Sequence, residues 1–145
     1  MSFESLWADQ SAIGRNPETG GYTRGGWTPT ERAATHWFLD QCATRGLSVE
    51  SDGIGNLIAW WGSADGPGVV TGSHLDSVID GGAFDGPLGV VSALAAVDQL
   101  RAEGFEPGVP IGIGAFVEEE GSRFGMPCLG SRVAAGVLPP SKALA

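Results

Sequence analysis

The sequence predicts an α/β fold, and three observations carry the prediction. Short apolar segments of strand length at 54–61, 69–71 and 111–117 are interleaved with helix-length segments at 29–45 and 87–103, a pattern that favours a sheet covered by helices. Acidic, glycine-rich stretches directly follow the apolar runs at 69–71 and 111–117, which is where open α/β sheets carry their sites. No repeat, low-complexity tract or linker divides the 145 residues, a length that suits one domain.

Each element has its own signal. Phe3 to Ile13 reads as a short helix, and the glycines and Asn-Pro of GRNPETGGYTRGG make the next stretch a loop. Thr28-Pro29-Thr30-Glu31 then starts a helix. Thr28 can cap, Pro29 suits the first helical position and Glu31 can complete a capping box. Such a cap contributes about 1 kcal/mol. Ala34, Trp37, Phe38 and Gln41-Cys42 recur at helical spacing before Gly46 stops the run. His36 and Asp40 lie one turn apart on this helix and read as a solvated pair.

Leu47 to Ser51 alternates apolar and polar residues, Asp52-Gly53 is a turn signal, and Ile54 to Trp61 reads as a second strand, which together predict a β-hairpin. The Trp60-Trp61 pair is expected to shield a sheet face. Val69 to Thr71 predicts a brief buried strand. Pro87 to Glu103 predicts a helix with Leu88, Val91, Leu94-Ala95 and Val97 inward, ended by Gly104. Ile111 to Val117 predicts a third buried strand, parallel to 69–71, and Leu129 to Ala135 opens a last helix.

Composition narrows the function classes. The chain is 42% hydrophobic and 17% charged, as a globular protein is. Its net charge is −9, from 8 basic and 17 acidic residues. Nucleic-acid partners are not expected, because no basic footprint appears. A membrane is not expected either, since the Leu88–Val97 run is too short to span a bilayer. The start MSFESLWADQ shows no basic and apolar leader. Cys42 and Cys128 lack CxxC spacing and read as small buried hydrophobes of a reducing cytoplasm.

The chemistry concentrates in two stretches. GSHLDSVIDGGAFDG, residues 72 to 86, sets one histidine and three aspartates among glycines. It is either an irregular polar loop or half of a metal site. Asp76 stands two residues after His74, so both side chains can point the same way from an extended segment. A carboxylate on one imidazole nitrogen fixes the tautomer and leaves the other nitrogen for a metal. Asp85 precedes the helix at Pro87 and reads either as its N-cap or as a carboxylate swung toward His74 by the neighbouring glycines. Glu118-Glu119-Glu120 is either a solvated loop or a metal carboxylate beside a general base. Two such clusters on neighbouring strand ends make a metal-dependent hydrolase the leading reading of the residues themselves.

GSHLDSV, GGAFDGPLGV and EEEGSRFG, in this order, resemble the amidohydrolase branch of the dizinc aminoacylase/exopeptidase family. That branch includes N-carbamoyl-L-amino-acid hydrolase, allantoate amidohydrolase and β-ureidopropionase. GGYTRGGWT, TERAATHWF and GIGNLIA resemble it as well. The resemblance implies two divalent metal ions, zinc or manganese, with cobalt and nickel also compatible. It implies His74, the bridging Asp85 and Glu120 as metal ligands, Glu119 as general base and Asp76 as the supporting carboxylate. A one-residue slip would instead make Glu118 the base and Glu119 the ligand. The substrate implied is a small linear amide, an N-carbamoyl-L-amino acid, allantoate or a related ureido compound, and the full-length form is expected to be a homodimer.

Family members are more than twice as long and carry two further histidine ligands and a lid/dimerisation domain. The other histidine here, His36, lies far upstream. Residues 1–145 are therefore expected to be a truncated, N-terminal part of a dizinc-exopeptidase-like catalytic domain, with a mixed sheet flanked by helices, inactive alone. The competing readings are an exopeptidase or deacylase of the same family and a non-catalytic metal-binding or interaction fragment.

Overall fold

The parallel pairing expected between the two apolar runs forms, and it aligns the two acidic stretches side by side. The structure, a computed structural model, describes residues 2–143. The elements are α1 (Phe3–Ser11), α2 (Pro29–Thr44), β1 (Ser48–Ser51), β2 (Leu57–Trp61), β3 (Val69–His74), α3 (Pro87–Ala102), β4 (Ile111–Phe116), α4 (Leu129–Ala134) and α5 (Pro140–Ala143). They build one mixed sheet in the order β1-β2-β4-β3. β1 and β2 form the predicted antiparallel hairpin, β2 pairs antiparallel with β4, and β3 pairs parallel with β4 from Val69↔Ile111 to His74↔Phe116. The register therefore ends with His74 beside Phe116, just before the Glu run.

One sheet face carries the core. Leu57, Ala59, Ile113 and Ala115 alternate inward and meet Leu6 of α1, Phe38 and Cys42 of α2, and Val90, Leu94 and Val97 of α3. Phe38 is fully buried, and truncating it to Ala would cost about 3–5 kcal/mol. On the opposite face Trp60 and Ile58 lie so close over Gly112 that a Cβ there would meet them at 2.8 and 2.9 Å.

Several expectations are corrected. Val69 and Val70 are 58% and 44% exposed, not buried, because β3 is the last strand of the sheet and has a neighbour on one side only. The second strand starts at Leu57 rather than Ile54. The carboxylate of Asp52 accepts the N–H groups of Ile54, Gly55 and Asn56 and holds those residues in the turn. Trp60 and Trp61 do not share a face: Trp60 donates to Glu50, while Trp61 packs against the core and under Arg101, as alternation along a strand requires. Leu88 is exposed, and Val90 takes the inward place. Thr28 caps α2 as expected, but Glu31 accepts the N–H of Trp27, since the N–H of Thr28 already donates to Gly25.

Candidate metal centre

His74 ends β3 and is buried. Its Nδ1 lies 3.0 Å from the carbonyl of Asp76 and 3.4 Å from Asp76 Oδ1. Both partners are acceptors, so Nδ1 carries the proton and Nε2 is left with its lone pair. Nε2 stands 3.6 Å from Asp85 Oδ1 and 3.5 Å from Glu119 Oε2. Burial alone would lower the His74 pKa, but the hydrogen bond and charge of Asp76, with the charge of Glu119, outweigh it and raise the pKa.

Asp76 is the hub beneath this arrangement. It is buried, and its Oδ1 and Oδ2 accept the N–H groups of Glu119 and Glu120 at 3.2 and 3.1 Å. Burial would raise its pKa; the bonds from His74, Glu120 and Glu119 outweigh that and lower it. Asp76 thus orients the imidazole and the Glu run at once.

Asp85 is not the cap of α3. The capping position is Gly86, which makes no side-chain cap bond, and the Asp85 side chain faces His74 instead. Gly86 makes this approach possible. Its φ is +84°, and a Cβ there would come within 2.6 Å of His74 Cε1.

The three glutamates separate. Glu118 is fully buried at φ 52°, and its Oε1 accepts the N–H groups of Arg123 and Phe124 at 3.2 and 3.1 Å. Glu119 and Glu120 face the His74 side. Burial, reinforced by repulsion from Asp85, raises the Glu120 pKa. The run is clasped from behind: the N–H groups of Cys128, Leu129 and Gly130 donate to the carbonyls of Glu119, Glu118 and Val117.

Among the described residues, His74, Asp85 and Glu120 offer ligand atoms within 4.8 Å of one another. One imidazole nitrogen and two carboxylates suit zinc or manganese. A dication would also relieve the repulsion that raises the Glu120 pKa, so the residues present fit such an ion. His36 and Asp40 are exposed on α2 and outside this group.

Three supports escaped the sequence reading. Arg24, from GGYTRGGWT, is buried and donates from Nε to the carbonyl of Leu75, between His74 and Asp76. Asn56, from GIGNLIA, accepts the N–H of Val117 and donates to Gly130 and Asp52. Only their place inside those motifs could have drawn notice to them. Cys128 is not a buried hydrophobe: it is half-exposed and its Sγ lies 3.3 Å from Glu119 Oε1. No signal in the sequence pointed to that contact.

The chain has relatives among known proteins. The chain is 41% identical over 142 residues to an N-carbamoyl-L-amino acid amidohydrolase of Geobacillus stearothermophilus, covering 94% of this chain and 34% of that protein. It is 37% identical over 124 residues to a ureidoglycolate hydrolase of Arabidopsis thaliana, covering 84% and 26%. The solved structure of a hydantoinase/carbamoylase family amidase from Burkholderia ambifaria superposes with a TM-score of 0.92 at 37% identity, covering 100% of this chain and 37% of that one. The chain thus spans about a third of the length of the curated relatives it matches. Residues 56–144 match the model of peptidase family M28. That match takes in β3, β4 and the loops that bring His74, Asp85 and Glu120 together, and on it the chain belongs to peptidase family M28, a metal-dependent hydrolytic family.

Proposed function

We propose that residues 1–145 form the N-terminal part of the catalytic domain of a metal-dependent amidohydrolase, whose lid and remaining metal ligands lie in a further part of the protein. Its substrates are N-carbamoyl-L-amino acids, allantoate or related ureido compounds. The observation that carries this reading is the convergence of His74, Asp85 and Glu120, with Glu119 Oε2 3.5 Å from His74 Nε2. The names of the relatives support the substrate class. Two divalent ions, zinc or manganese, would be held with the help of His74, Asp85 and Glu120. When bound, such ions polarise the substrate carbonyl and acidify a water molecule.

The chain's own residues do the rest. Glu119 takes a proton from the attacking water and delivers it to the leaving nitrogen. Asp76 holds His74 in the tautomer that presents Nε2, and holds the backbone of Glu119 and Glu120 in place. The complete protein works as a cytoplasmic homodimer on small molecules. No described helix is long and apolar enough to cross a membrane.

A second reading, an exopeptidase or deacylase on the same site, is favoured by the family match to peptidases. One experiment tests both. The chain is completed with the remainder of the Geobacillus stearothermophilus relative, and Glu118, Glu119 and Glu120 are each changed to Gln. Glu119→Gln should lose roughly 10²–10⁴ in kcat with metal retained. Glu120→Gln should lose metal, and Glu118→Gln should be mild on both counts. If Glu119→Gln loses metal instead, the roles are off by one residue. If none of the three changes either quantity, the hydrolase reading falls. Turnover of dipeptides in preference to N-carbamoyl amino acids would favour the second reading.

A further inference from the structure

Cys128 contacts the carboxylate that the proposed function makes its base. Its Sγ lies 3.3 Å from Glu119 Oε1, while the other oxygen of that carboxylate, Oε2, stands 3.5 Å from His74 Nε2. Among the described residues, Cys128 is the one hydrogen-bond donor on the Glu119 carboxylate. The side chain is placed there by its backbone. Cys128 adopts φ 56°, ψ 30°, a left-handed conformation uncommon for a residue with a Cβ. Its N–H donates to the carbonyl of Glu119 at 2.6 Å. Main chain and side chain therefore tie Cys128 to the same residue.

We propose that Cys128 is a positioning residue for Glu119: its thiol holds Oε1 and so presents Oε2 to the reacting atoms beside His74. This rests on the reading of Glu119 as the base. The donor type suits the task. A cationic donor would bring a charge and a strong charge-assisted bond to the carboxylate. A thiol is a weak, neutral donor, so it orients the carboxylate without adding a charge to it. Glu119 in turn holds the thiol above the ordinary cysteine range, which keeps it protonated and able to donate.

The contact is tested on the 145-residue chain by infrared spectroscopy of the S–H stretch, with Cys128→Ala identifying the Cys128 band beside that of Cys42. The band should lie at lower frequency in the wild type than in Glu119→Gln. Carbon NMR of the Glu119 side chain should show one fixed rotamer in the wild type and in Cys128→Ser, and averaging in Cys128→Ala. In the completed chain, Cys128→Ala should lower kcat by up to about 10²-fold with KM and metal content kept, and Cys128→Ser should restore it. An S–H band indifferent to Glu119→Gln, or a Glu119 side chain equally fixed in Cys128→Ala, overturns the proposal. Zinc titration with and without His74→Ala separates the two claims. Uptake that ignores His74 sinks the metal reading, and with it the role of Glu119, even where the S–H band confirms the pairing.

Discussion

Oδ2 of Asp76 accepts the backbone N–H of Glu120 at 3.1 Å, across 44 residues of sequence. The other oxygen of the same carboxylate takes the N–H of Glu119 and faces His74 Nδ1. The segments that follow β3 and β4 are thus joined through one buried side chain that contacts both halves of the site.

Asp76→Asn should loosen both halves. The amide keeps the size but replaces one acceptor oxygen with a donor, which faces N–H groups it cannot satisfy. Losing such a support behind a ligand typically costs 10–100-fold in metal affinity, and an unmet buried group costs about 1–3 kcal/mol. Zinc calorimetry and urea unfolding read the two losses. Wild-type values in both would show that Asp76 organises nothing.

Zinc should bind the 145-residue chain weakly, because His74, Asp85 and Glu120 form an open set of ligands. His74→Ala removes the nitrogen donor and should abolish that binding. Calorimetry on both proteins decides it, and equal, tight binding by the two would rule out this site.

Gly26→Ala probes Glu118. A Cβ at position 26 would come within 2.1 Å of Glu118 Oε2 and 3.1 Å of its Cδ. The buried carboxylate would have to move and release the N–H groups of Arg123 and Phe124. Overpacking of this kind costs about 1–3 kcal/mol. A lower urea midpoint with an unchanged slope is expected. An unchanged midpoint would mean that the Glu118 side chain can turn aside freely.

Glu31 gives a pH dependence. Burial raises its pKa above 4.5, outweighing the hydrogen bonds from Thr35 and Trp27, and Asp76 adds repulsion. The folded chain therefore binds this proton more tightly than the unfolded chain. Between 4.5 and the raised value the native state carries more of it, so this group's contribution to stability falls as pH rises through that window and recovers as pH drops. Gln at position 31 can still accept from Trp27 and can donate to Thr35. Glu31→Gln should gain stability relative to the wild type at neutral pH and lose that part of the slope. Urea midpoints from about pH 4, within the ordinary carboxyl range, to about pH 8, well above it, make the comparison. An identical slope in the variant would show that Glu31 titrates normally.

The sequence by itself determined what acts over a few residues. Thr28 and Pro29 start α2 because a cap and a fixed φ act within one turn. The apolar runs at 69–71 and 111–117 became parallel neighbours, so His74 and the Glu run had to meet at one sheet end. His74, Asp85 and Glu120 were legible as a set because their chemistry and order resemble a family motif. What the tertiary structure decided depends on contacts between distant segments. It made β3 an edge, turned Asp85 from the start of α3 toward His74, buried Glu118 against Gly26 and set the Cys128 thiol on Glu119. Asn56 and Gly130 meet across 74 residues, and no local propensity encodes such a pair. Helix and strand preferences are fixed by a residue's near neighbours. The direction of a carboxylate is fixed by whichever donors the folded chain brings beside it.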